Sequence, residues 1–130
     1  MMKKTVLIML FIATTLLASM NSVVELEDAY DKAEQNNKIV MVVLSQKGCP
    51  ACKYMKNVVF KNKDVVKQFN KNFIAVHLDI HKDYVPLELT HVVTPTIYFL
   101  NSDEKILGAV YGYKNDKDFM QILKKITSAQ

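Results

Sequence analysis

The sequence predicts an α/β domain, a central mixed sheet of about four strands with helices on both faces. Three observations carry that expectation. Ile39–Leu44 and Phe73–Leu78 are short, largely β-branched apolar runs, the pattern of strands buried on both faces. Amphipathic stretches stand before, between and after them. Thr96–Leu100 and Ile106–Tyr111 flank the turn Asn101-Ser102-Asp103-Glu104 and read as an antiparallel hairpin.

In chain order, Leu26, Ala29, Tyr30 and Ala33 recur at helical spacing among acidic residues, which predicts a helix over Val24–Gln35 ended by Asn36-Asn37. Ile39–Leu44 is the first strand, and Ser45-Gln46-Lys47-Gly48 is a loop. A helix then opens at the cysteine pair and turns Cys52, Met55, Val58 and Val59 inward as far as about Phe60. Val65, Val66 and Phe69 mark a further short helix, capped by Asn62 or Asp64. After the strand Phe73–Leu78, Asp79–Asp83 forms the exit, and Tyr84–His91 is expected to be a helical turn. Thr94-Pro95 interrupts what would otherwise be one strand from Val92 to Leu100, so a bend is expected there. Asn115 or Asp116 caps the last helix, whose apolar face is Phe119, Ile122, Leu123 and Ile126.

The chain has 130 residues, enough for one domain. Residues 1–19 have the layout of a secretory signal peptide: Met1-Met2-Lys3-Lys4, an apolar run over Thr5–Leu17, then Ala18-Ser19 as small residues for cleavage at an approximate site. That run falls short of the roughly 20 residues that span a bilayer. The alternative fate is an uncleaved segment tethering the domain to the membrane. Residues 20–130 form the predicted domain. Without Lys3 and Lys4, 15 Lys face 13 acids, a net charge of +2, and no Arg occurs anywhere. Dispersed lysines without bidentate Arg clamps argue against nucleic-acid binding.

The only two cysteines stand in Cys49-Pro50-Ala51-Cys52. A bridge across so short a segment closes almost no loop and barely restricts the unfolded chain, so its use is reactivity rather than stapling. A strand leading through a loop into this pair at a helix N-terminus places the Cys49 sulfur near unpaired N–H groups and the positive end of the helix dipole. Both favour thiolate, the species that attacks disulfides. Cys49 is therefore the candidate nucleophile. Cys52, one turn on and expected to be the more buried, resolves the mixed disulfide. Pro50 and Ala51 are the candidate redox-tuning residues, Pro50 stiffening the first turn where its missing N–H costs nothing. The competing use of the pair is a copper or zinc chaperone. Closed four-sulfur zinc would need a second pair, and His77, His81 and His91 show no ligand spacing to the cysteines. No metal ligand set and no cofactor is assigned.

These features in order, Ile39–Leu44 before Cys49-Pro50-Ala51-Cys52-Lys53, then Phe73–Asp79, then Val93-Thr94-Pro95-Thr96 before a strand, resemble the thioredoxin-like proteins. Within them the stretch from Cys52-Lys53 through Phe60, Val65 and Phe73 is similar to the C-terminal thioredoxin-like domain of the membrane electron transporter DsbD and to small periplasmic thioredoxins. The resemblance implies a thioredoxin fold and a cis proline at Pro95 beside the dithiol. It also implies that Thr94 offers its backbone to an incoming peptide, so Thr94 and Pro95 are the expected substrate-binding residues. Two departures are plain. Gly48 stands where thioredoxin has Trp, and Val40–Val43 carries no carboxylate where thioredoxin buries an Asp. The implied activity is thiol–disulfide oxidoreduction in a Gram-negative periplasm, by a monomer acting on protein disulfides and running as a reductase or electron shuttle rather than an oxidase. Its electrons would come from an inner-membrane donor of the DsbD type, because that space has no reducing buffer.

Overall fold

The structure is a computed structural model, and it describes residues 18–130; the expected signal segment, apart from Ala18 and Ser19, lies outside the described residues. The elements are β1 (Ser22–Val23), α1 (Leu26–Asn36), β2 (Ile39–Ser45), α2 (Pro50–Asn57), a 3-10 turn at Val59–Lys61, and α3 (Lys63–Asn72). After them come β3 (Phe73–Asp79), β4 (Thr96–Leu100), β5 (Ile106–Tyr111) and α4 (Asp116–Ser128). They build the expected thioredoxin fold.

β2 takes the centre because Ile39 to Leu44 are all buried and need cover on both faces. The sheet order is β1-β3-β2-β4-β5. β3 pairs parallel with β2, from Ile39 opposite Phe73 to Ser45 opposite Asp79; β4 pairs antiparallel on the other side, and β5 follows it as the hairpin. Met41, Val43, Phe73, Ala75, Ile97 and Phe99 meet α2, α3 and α4, whereas Val40, Val42, Ile74, Val76 and Tyr98 meet Ala29 and Ala33 of α1. The alternation of side chains along each strand divides the core this way.

Two expectations are refined. A fifth strand is present, the two-residue β1, laid parallel along β3 with Ser22 opposite Ala75. Its sequence is too short to carry a periodic signal, and β3 supplies the free edge that recruits it. Tyr84–His91 is not a helical turn but irregular chain. Pro86 disfavours the helical region for Val85, and the local bond is a tight one from Leu89 N–H to Pro86 O (3.0 Å).

The helix ends follow the expected chemistry. Asn37 closes α1 with φ of 52° in the left-handed region. Asn62 caps α3 by accepting from Asp64 and Val65 N–H, and its amide donates to Asp116 Oδ2 at 2.7 Å, tying the starts of α3 and α4 together. Asn62→Ala is therefore expected to cost about 1–2 kcal/mol, read as a lower urea midpoint with an unchanged slope.

Candidate redox site

β2 delivers the chain to the top of the sheet, and the loop Gln46–Gly48 turns it into α2. Gly48 has φ of +76°, which an L side chain would strain against, so glycine fits this turn. Cys49 is the N-cap of α2 with Pro50 in the first turn, and its Sγ accepts the N–H of Cys52 at 3.1 Å. Cys49 and Cys52 form a disulfide. Both cysteines are half-buried and Pro50 is exposed. Ala51 follows Pro50 on the first turn, half-buried and carrying no hydrogen-bonding side chain.

Thr94 and Pro95 arrive from the other side of the sheet, just ahead of β4. Their peptide bond is cis. Thr94 O lies 3.5 Å from Cys49 Sγ, and the Thr94 hydroxyl donates to the same sulfur at 3.5 Å. Pro95 is buried, and its carbonyl accepts from Gly112 N–H at 2.8 Å, which pins the bend to the end of β5. Behind it, Tyr98 OH donates to Thr90 O at 2.6 Å and holds the incoming loop. All six residues singled out in the sequence thus converge on one end of the sheet.

A cavity of about 700 Å³ opens beside the disulfide, lined among others by Val43, Cys52, Lys56, Phe60, His77 and Asp79. Val43, the last residue of the Val40–Val43 stretch that carries no carboxylate, is buried and lines this cavity together with Cys52. His77, an exposed residue of β3, lines this cavity, and Phe60 packs edge-on to its ring with centroids 5.9 Å apart. Crowding by protein atoms, and secondarily the Lys56 cation, lower its pKa from the ordinary 6.5. A histidine kept neutral by the fold takes up fewer protons than it does in the unfolded chain below pH 6.5. Its stabilising contribution is complete above that value and is lost as pH falls toward the lowered one. Wild type should therefore lose urea midpoint more steeply than His77→Gln between about pH 7 and pH 5; equal slopes would refute the assignment. On the far face of the sheet, burial and the charges of Glu104 and Glu88 push Tyr30 up to about 12, so it stays a neutral phenol.

Gln46 and His81 are the residues that sequence reasoning missed as part of this site. Gln46 Nε2 donates to Thr94 Oγ1 at 2.9 Å, and His81 Nε2 lies 2.9 Å from Gln46 Oε1. Their neighbourhood arises from strand register, and nothing in the local sequence signals it. Among the described residues, no group of three or more His, Cys, Asp or Glu side chains is placed to hold a metal ion. No described helix is long and apolar enough to cross a membrane.

A mixed five-stranded sheet covered on both faces, with a helix-capping disulfide facing a cis proline, is the arrangement of the thioredoxin class of fold. The chain belongs to the thioredoxin-like domain family, whose model matches residues 26–127. The fold is similar to that of a thioredoxin from Thermus thermophilus, with a TM-score of 0.70 and 21% identity over 84% of this chain and 88% of that one. It is also similar to the DsbD C-terminal domain of Neisseria meningitidis in the oxidised form, with a TM-score of 0.62 and 18% identity over 82% of this chain and 98% of that one. An uncharacterized protein of Caenorhabditis elegans is 27% identical over 95 residues, which are 65% of this chain and 13% of the relative. The chain thus spans a small part of that relative's length.

Proposed function

We propose that the protein is an exported thiol–disulfide oxidoreductase that works mainly as a disulfide reductase or electron shuttle. The observation that supports this most directly is Cys49 Sγ at the start of α2, accepting the Cys52 N–H and facing the Thr94 carbonyl and hydroxyl. In the reduced protein the Cys49 thiolate attacks one sulfur of a substrate disulfide, forming a mixed disulfide and expelling the other sulfur as thiolate. Cys52 loses its proton and attacks Cys49 Sγ, which closes the Cys49–Cys52 disulfide and releases the second substrate thiol. Two electrons pass to the substrate, and a dithiol donor restores the pair. Thr94 and Pro95 line up the substrate chain beside the sulfur, and Pro50 and Ala51 set the rigidity of the turn. Residues 1–19 act as the export signal, residues 20–130 are the working domain, a monomer, and the donor is an inner-membrane protein of the DsbD type.

The test is insulin reduction driven by dithiothreitol. Wild type is expected to be active and Cys49→Ser inactive; an inactive wild type that instead binds Cu(I) or Zn(II) tightly would replace exchange with metal carriage. Direction is read from the Cys49–Cys52 reduction potential. A value near about −270 mV agrees with a reductant, and one near about −120 mV would reverse the assigned electron flow.

A further inference from the structure

We propose that Gln46 is a positioning residue for the Cys49 thiolate: it orients the Thr94 hydroxyl so that its hydrogen points at the sulfur, and His81 fixes the direction of the Gln46 amide. The proposal rests on Cys49 being the attacking sulfur. The contacts run in one sense, from His81 Nε2 to Gln46 Oε1 (2.9 Å), from Gln46 Nε2 to Thr94 Oγ1 (2.9 Å), and from Thr94 Oγ1 to Cys49 Sγ (3.5 Å).

Thr94 has a single hydroxyl hydrogen. With an amide N–H donating to its lone pair, that hydrogen is free for the sulfur. Were the amide reversed, Gln46 Oε1 would take the hydrogen and the sulfur would lose a donor. An Nε2–H on His81 needs an acceptor and so holds Oε1 on its own side. A hydrogen bond to the charged form of a thiol favours that form, and each donor in a chain polarises the next.

The backbone places both outer members without help from their side chains. Ser45 and Asp79 are register partners in β2 and β3, so the residues just beyond them meet above the sheet. Ile80 N–H donates to Ser45 O at 2.9 Å, and His81 N–H donates to Asp79 Oδ1 at 2.9 Å. The chain therefore links the ends of both parallel central strands to the reactive sulfur.

The test is a pH titration of the ultraviolet thiolate band in the reduced protein, for wild type, Gln46→Ala, Thr94→Val and the double variant. Gln46→Ala is expected to raise the Cys49 pKa by about half a unit, roughly threefold less thiolate below the pKa. In the Thr94→Val background the same change should do nothing. His81→Ala should shift the pKa the same way, and should add nothing to Gln46→Ala. An unchanged pKa in Gln46→Ala, or an equal shift with and without the Thr94 hydroxyl, overturns the proposal. Should Thr94→Val fail to fold, Thr94→Ala takes its place as the background without a hydroxyl, and an undiminished shift on Gln46→Ala there overturns the proposal. Because no substrate enters the titration, a failure here is separable from a failure of insulin reduction.

Discussion

Replacing Cys52 by serine should turn a fleeting species into a product that can be isolated. In wild type the mixed disulfide on Cys49 sits one helical turn from a second sulfur, and resolution is intramolecular. Held reactants gain effective concentrations far above any free thiol. Serine keeps the size of the side chain but removes the attacking sulfur, so the Cys49 adduct must wait for an external thiol. Its lifetime is expected to rise at least about a hundredfold. Mass spectrometry should find the adduct on Cys49 and lose it on adding dithiothreitol, whereas Cys49→Ser should accumulate none. The asymmetry follows from the surroundings: Cys49 Sγ receives the Cys52 N–H and the Thr94 hydroxyl at the helix N-terminus. Equal trapping on Cys52 in Cys49→Ser would mean that the two sulfurs exchange roles.

The largest effect on stability is expected for Phe99→Ala. Phe99 is fully buried in β4, lies edge-on to Phe73 with ring centroids 5.7 Å apart, and Phe73 stacks on Phe69 at 5.3 Å. These rings fill the space between the sheet and the α2–α4 layer. Truncation removes the ring's transfer energy and leaves a cavity that rigid strands cannot close, about 3–5 kcal/mol together. Against a total of about 5–15 kcal/mol for a domain, that is a large fraction. Thermal unfolding should begin well below wild type, on the order of 10–20 °C lower. The exposed Val24→Ala should change stability by less than about 0.5 kcal/mol. A loss below about 1 kcal/mol for Phe99→Ala would show that the ring layer repacks.

Much of this architecture can be read from the chain because the central strands are apolar without interruption. Val40, Met41 and Val42 leave no polar face, so β2 must be covered on both sides, and the helices on either side supply that cover. The caps are legible to within a choice of two, Asn62 or Asp64 and Asn115 or Asp116, and the structure settles on Asn62 and Asn115, each accepting N–H groups of the following helix. Cys49, Cys52, Thr94 and Pro95 are legible as residue types in order, and the structure brings all four to one end of the sheet. Local pattern fails where tertiary register decides. Ser22–Val23 becomes a strand because β3 has a vacant edge. Gln46 reaches Thr94 across 48 positions and His81 across 35, distances over which no periodicity in the sequence reports. The helical turn expected over Tyr84–His91 fails for a different reason, since Pro86 disfavours the helical region for Val85.

The short β1 strand also fixes the end of the sheet from which the chain ahead of the domain leaves. Asn70 grips the chain just before it, donating from Nδ2 to Ser19 O at 2.9 Å and accepting Asn21 N–H at 2.7 Å, while Ala75 N–H donates to Asn21 O at 2.8 Å. This clamp lies beside the beginning of β3, and Cys49 lies beyond the end of the parallel neighbour β2. The two are separated by roughly the length of a seven-residue strand, on the order of 20 Å. Anything attached ahead of Ser19 therefore meets the domain at the end of the sheet opposite the dithiol. Removal of residues 1–19, the proposed export signal, would take away the Ser19 acceptor and leave the Asn21 bonds to Asn70 and Ala75, so the dithiol end of the sheet is untouched either way.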